Sequence, residues 1–195
     1  MHDRWSEFRT ELESGESDRT NDVVDEIKEM GLQERIELFD ACFDELTEMY
    51  AVAEDGYVRQ SVVRVAEQLT PGLPIVVALD NEDRSIGVGE TAVREQTDAL
   101  GGFLLEAITD DDGRVRQSAK RGLKDVFRTY DALDDEETIE ALARELDEMA
   151  SQASGKQENH LREARDDAKF FLQSGIGRLL EGFQKEFGES LNSDQ

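Results

Sequence analysis

The 195-residue chain contains one cysteine, two prolines, two histidines and no long apolar run. A single thiol, Cys42 in FDACFDEL (39–46), excludes an intrachain disulfide and a cysteine-based zinc site; it reads as a small buried residue. Histidine at positions 2 and 160 alone is too sparse for a histidine metal site or for a catalytic triad with a residue to spare. The longest apolar run, 73–79, is interrupted by Pro74 and is too short for a bilayer. No cationic-then-apolar signal segment opens the chain, so a soluble, cytoplasmic protein without a membrane partner is expected. Phosphate-loop and calcium-loop patterns fail too. Gly87 and Gly89 lack the following Lys-Ser/Thr, and the twelfth position counted from Asp110 is Arg121, where a bidentate Glu belongs. With so many carboxylates, no pair stands out as acid and base. Neither a catalytic constellation nor a cofactor or metal is expected, and the reading is non-enzymatic.

Charge is heavily one-sided. There are 47 Asp and Glu against 22 Lys and Arg, a formal net charge of −25. Lysine occurs only at 28, 120, 124, 156, 169 and 185. So much like charge destabilises a compact state by self-repulsion in dilute buffer. An acid-rich, lysine-poor composition resembles that of proteins from salt-loving archaea, where molar salt shortens the Debye length to about 3 Å. The charge then reports the solvent of the cell and not a ligand. Hydrophobic residues, at 37%, fall in periodic stripes, which excludes wholesale disorder.

Those stripes have helical period. Trp5, Phe8 and Leu12 mark a short amphipathic helix over 1–13, followed by a polar linker at 14–20. The N-terminal unit is therefore 1–20, the helical domain 21–191, and 192–195 a disordered tail. Ile36, Phe39, Phe43, Leu46 and Tyr50 step by three and four along one face, after a break at Gly31. The next helix runs over about 57–69 and stops before Pro71. The stretch 70–90 breaks the rhythm and reads either as a small hairpin insertion or as a short helix with a loop. Helices resume at about 90–109, 113–130, 135–152 and 157–189, the third opened by Asp134 and Glu137 in a capping-box spacing. They pair as 32–51 with 57–69, 90–109 with 113–130, and 135–152 with the last.

The string DGYVRQS (55–61) returns as DGRVRQS (112–118), each time at a helix start. A motif recurring at one structural place marks stacked repeats. Asp112, Val115, Arg116 and Ala119, and less fully Asp55, Val58 and Arg59, form an Asp-x-x-Val-Arg-x-x-Ala pattern; Leu161 and Arg162 are a weaker third echo. The pattern resembles the signature that opens the second helix of HEAT repeats, over roughly 32–190. The resemblance implies an all-α, short right-handed solenoid of about three helix pairs, with the second helices lining a concave face. It also implies that the repeated Asp and Arg are structural, the Asp capping and the Arg pairing between neighbouring repeats.

Two surfaces are candidates for function. Arg114, Lys120, Arg121, Lys124 and Arg128 collect on one helix, opposite an arc of Val115, Ala119, Leu123, Val126, Phe127 and Tyr130. This basic face suits an acidic protein or a phosphate backbone, or else it neutralises adjacent acidic helices such as 135–152. The final helix carries Phe171, Leu180, Phe183 and Phe187, an apolar surplus that either caps the stack or recruits a partner or a second copy. The leading expectation is a protein-binding or scaffold module. The alternative is a nucleic-acid-associated role through the basic face, similar to what some HEAT-like DNA-repair proteins do; net charge −25 disfavours it.

Overall fold

A computed structural model describes residues 2–69 and 90–192, and the side chains of Arg4–Gly31, Gln33–Leu69 and Glu90–Gln173. The hairpin-or-loop expectation for 70–90 falls almost wholly outside these residues. Eight helices are described: α1 (His2–Glu13), α2 (Ser17–Glu29), α3 (Leu32–Val52), α4 (Gly56–Leu69), α5 (Glu90–Ala107), α6 (Gly113–Ala132), α7 (Glu136–Gln152) and α8 (Gly155–Asn192). No strand occurs among them, and no described helix is long and apolar enough to cross a membrane.

The helices form a solenoid-like stack of antiparallel pairs. Each even-numbered helix packs on the next, α2 on α4, α4 on α6 and α6 on α8, and each odd-numbered helix covers its own successor. One apolar cluster runs through the stack from Trp5 to Ala168. The arc predicted for α6 is buried at every position, with Val115, Ala119, Leu123, Val126 and Phe127 at 0% exposure. Gly122 lets α5 approach, since a Cβ there would lie 2.7 Å from Leu104 Cδ1.

The segment 14–20, expected as linker, contains the start of a helix instead. α2 opens at Ser17, and the sequence places Thr20, Val23, Val24 and Ile27 on one buried face. Thr20 was unreadable as interior because its partner is remote: its hydroxyl lies 2.9 Å from that of Ser61 on α4. With α1, this makes a further pair at the front of the stack. Trp5, Phe8 and Leu12 enter the common core, and Trp5 Nε1–H donates to Glu45 on α3 at 2.8 Å. The start of α7 is also shifted by one residue. Asp134 takes a left-handed conformation (φ 52°), and Asp135 is the cap, accepting from the Thr138 N–H at 3.1 Å.

Trp5 is the sole tryptophan, so its fluorescence reports whether the front pair belongs to the cooperative unit. Its unfolding midpoint in guanidinium is expected to coincide with that of far-UV circular dichroism. The thermal midpoint is expected to rise from dilute buffer to molar KCl, because screening relieves a net charge of −25. An early, separate tryptophan transition would show that α1 frays independently.

Candidate functional site

The repeated motif supplies the joints between pairs. Asp55 and Asp112 both cap, accepting from the N–H groups of Tyr57 at 2.7 Å and Arg114 at 2.9 Å. Arg59 and Arg116 fold back identically, Nη1 donating to the carbonyls five and six residues earlier: Ala53 and Glu54 for Arg59, Asp110 and Asp111 for Arg116. Their outward donors differ. Arg59 grips Asp110 of the next pair with Nε at 2.7 Å and Nη2 at 3.0 Å. Arg116, 7% exposed, donates Nε–H to His160 Nδ1 at 3.2 Å. Val115 is fully buried and Val58 half-buried.

Asp110 also accepts from the Tyr50 hydroxyl at 2.8 Å and from the Asp112 N–H at 2.7 Å. Burial alone would push its carboxyl up, but Arg59, the Asp112 N–H and Tyr50 together hold it below the usual range. Asp112 is held at about 2, chiefly by the Arg114 side chain. Arg114 in turn lies 3.5 Å over the ring of Tyr57 from the preceding pair. Gly56 is required beneath this contact: a Cβ there would come 2.1 Å from Asp112 Oδ2. None of these partners was visible in the motif itself. The position two residues before Asp112 is Asp110, but two before Asp55 it is Ala53.

Each cation of the α6 face has an acidic neighbour. Lys120 binds Glu163 at 2.5 Å and Lys124 binds Asp167 at 3.1 Å, both on α8. Arg121 reaches Glu67 on α4 at 4.0 Å, Arg128 pairs with Asp125 on its own helix, and Arg114 with Asp112. The acids on other helices thus come from α4 and α8, not from 135–152. A groove of about 470 Å³ between α6 and α8 is lined by Gln117, Lys120, Arg121, Lys124, Glu163 and Asp167, among others. Its described charges are largely spent on one another, which leaves little to hold a phosphate chain. A second cleft, about 430 Å³, opens beside Tyr50, Arg59, Glu106 and Asp110. Among the described residues no group of three or more His, Cys, Asp or Glu is placed to hold a metal ion. Burial pushes the Cys42 thiol up to about 12, which leaves it protonated and unreactive at neutral pH.

Of the apolar candidates, Phe171 is half-buried against the core while its neighbour Phe170 is 62% exposed. The side chains of Leu180, Phe183 and Phe187 lie outside the described residues. The backbone of α8 is nonetheless informative. The Lys120–Glu163 and Lys124–Asp167 pairs share one offset of 43, so α6 and α8 run parallel and Ala132 ends level with Gly175. Arg165 pairs with Asp147 across the α7–α8 hairpin, which sets Glu136, the start of α7, level with residue 176. α8 continues to Asn192, 17 residues or about 25 Å past both neighbours at 1.5 Å per residue.

Comparison with protein-family models, with curated proteins and with solved structures finds no match.

The Arg116–His160 joint predicts a pH dependence. Burial, then the charge of Arg116, lowers the His160 pKa, with Lys120 and Lys156 acting the same way against Glu163. A depressed folded pKa means the unfolded chain binds the proton more tightly. The stability is therefore fully present above the unfolded value of about 6.5 and is lost as pH falls through the lower folded value. His160→Gln, which cannot titrate, is expected to flatten the stability profile below about pH 6.5, read by denaturant unfolding. An unchanged slope would show that this joint does not couple to folding.

Proposed function

We propose that the chain is a non-enzymatic, HEAT-like helical module that binds another protein, and that the overrunning end of α8 is its docking element. One observation carries this reading: among the described residues α8 extends about 25 Å beyond both helices beside it, and the sequence keeps its apolar stripe (Ile176, Leu179, Leu180, Phe183, Phe187) over that extension. A helix that only capped the stack would end with its neighbours. The α6 face is a less apt contact surface, because Lys120, Arg121 and Lys124 are engaged by Glu163, Glu67 and Asp167. The same pairing weighs against the nucleic-acid alternative. The two copies of the Asp-Gly-x-Val-Arg motif at successive second helices support the HEAT likeness, with Asp as cap and Arg as joint. The acid excess and scarcity of lysine support a cytoplasm of high salt, for which a thermal midpoint raised by KCl is the required outcome.

The test is affinity capture from a native extract in molar KCl. Baits are the full chain, a variant ending at Gln173, and the charge reversal Lys120→Glu/Arg121→Glu/Lys124→Glu. A protein retained by the full chain is expected to drop at least about tenfold with the truncated bait, a loss of about 1.4 kcal/mol. The reversal is expected to lower the unfolding midpoint while retention stays the same. Equal retention by full and truncated baits contradicts the reading, as does loss only in a folded charge-reversed bait.

A further inference from the structure

We infer that α7 and α8 open from the stack as a unit of their own, and that this opening takes up one proton on His160, so that mild acid loosens the last pair and leaves the first three in place. The inference is independent of what α8 binds.

Its first support is the layout of the stack. Each unit of a repeat array is held by its neighbours, so an end unit can leave without disturbing the rest. The packing of α7 and α8 is on each other and on α6. Of the three buried apolar residues described on α8, Leu161, Ala164 and Ala168, two are alanines and bury little surface.

The second support is the joint itself. The Nδ1 of His160 accepts from Arg116 Nε–H at 3.2 Å, while Arg116 Nη1 serves the carbonyls of Asp110 and Asp111. Among the described residues buried Arg116 donates to no carboxylate, in contrast to Arg59 on Asp110. A proton on Nδ1 removes the acceptor and sets a second cation against a guanidinium already cut off from water. The charged groups facing the ring are Arg116 and Lys120 from α6 and Lys156 and Glu163 from its own helix. Glu163 is bound to Lys120, so cations prevail there. The other ion pairs at this boundary stay ionised in mild acid. Lys120 holds Glu163 below the usual carboxylate range, and against its burial the Thr138 N–H and Arg94 do the same for Asp135.

The preceding boundary responds with the opposite sign. Burial pushes the carboxyls of Glu67 on α4 and Asp125 on α6 up. A carboxyl with a raised folded value binds its proton more tightly in the fold, so its contribution grows as pH falls. Against its burial, Arg59 holds Asp110 low and ionised. For His160 the released state binds the proton more tightly. The opening equilibrium therefore rises as pH falls below about 6.5, by at most about tenfold per unit.

The experiment is native-state hydrogen exchange by mass spectrometry on the full chain in molar KCl, at pH 7.5 and 5.5 and corrected for intrinsic exchange. Protection in α7 and in residues 155–173 is expected to fall several-fold, by at most about tenfold, while α4 and α6 hold or gain. In His160→Gln the pH response of the last pair is expected to vanish; a merely structural role would lower its protection equally at both pH values. Ring-proton resonance titration of the unsubstituted chain reads the imidazole directly, with His2→Gln assigning the signals, and a midpoint below about 6.5 is expected. Protection lost equally from all four pairs, or unchanged with pH in the last, overturns the separate unit. A midpoint at or above 6.5, or a pH response that survives in folded His160→Gln, overturns the histidine.

Discussion

The stack depends on one buried carboxylate. Asp110, in the turn between α5 and α6, is 5% exposed at its side chain and belongs to the third helix pair. Its oxygens accept from Arg59 and Tyr50 of the second pair and from the Asp112 N–H of its own turn. A carboxylate this deep is tolerated only when its acceptor sites are filled, and here four donors fill them. The donors come from two successive pairs, so satisfying the charge and joining the repeats are the same event. Arg59 adds a third role by closing the C-terminal end of α3 through the carbonyls of Ala53 and Glu54.

Once that joint is made, the registers beyond it follow. Asp112 settles against Gly56, and Arg114 over Tyr57, which brings α4 and α6 level and parallel. α6 then presents Lys120 and Lys124 to Glu163 and Asp167, and α8 takes the same direction. Gln157 at the start of α8 donates to the Thr109 carbonyl at 2.9 Å, closing the same edge. The last joint is of a different kind. Arg116 meets a neutral imidazole where Arg59 meets a carboxylate, so the fourth pair is held without a compensating buried anion and with a group that titrates.

Much of the architecture was legible because burial on a helix imposes a period of 3.6. The stripe from Ile36 to Tyr50 and the arc of α6 are both core, and the helix limits fall within a few residues of those expected. What escaped the sequence was tertiary in origin. Ser17–Thr20, within the expected linker, looks like linker because four polar residues in a row have no apolar partner, and only Ser61 across the interface makes Thr20 interior. The shift from Asp134 to Asp135 as cap depends on a left-handed residue at Asp134, closing the turn after α6. The repeated Arg announced a joint but not its partners, since Asp110 and His160 occupy non-equivalent positions in successive repeats. The α6 cations left a partner face and local pairing both open in the sequence, and the acids beside them come from the parallel neighbours α4 and α8 because the turn-side joints place them there.

The most direct test of this dependence is a double-mutant cycle on Arg59→Gln and Asp110→Asn, with stability read by denaturant unfolding in molar KCl. Each single change leaves a buried group without its partner, and removing one member of a buried pair costs about 3–5 kcal/mol. The double variant is expected to lose far less than the sum, giving a coupling above about 1.5 kcal/mol. Losses that add to within about 0.5 kcal/mol would contradict the account, because the two residues would then act independently and the stack would not hinge on their contact.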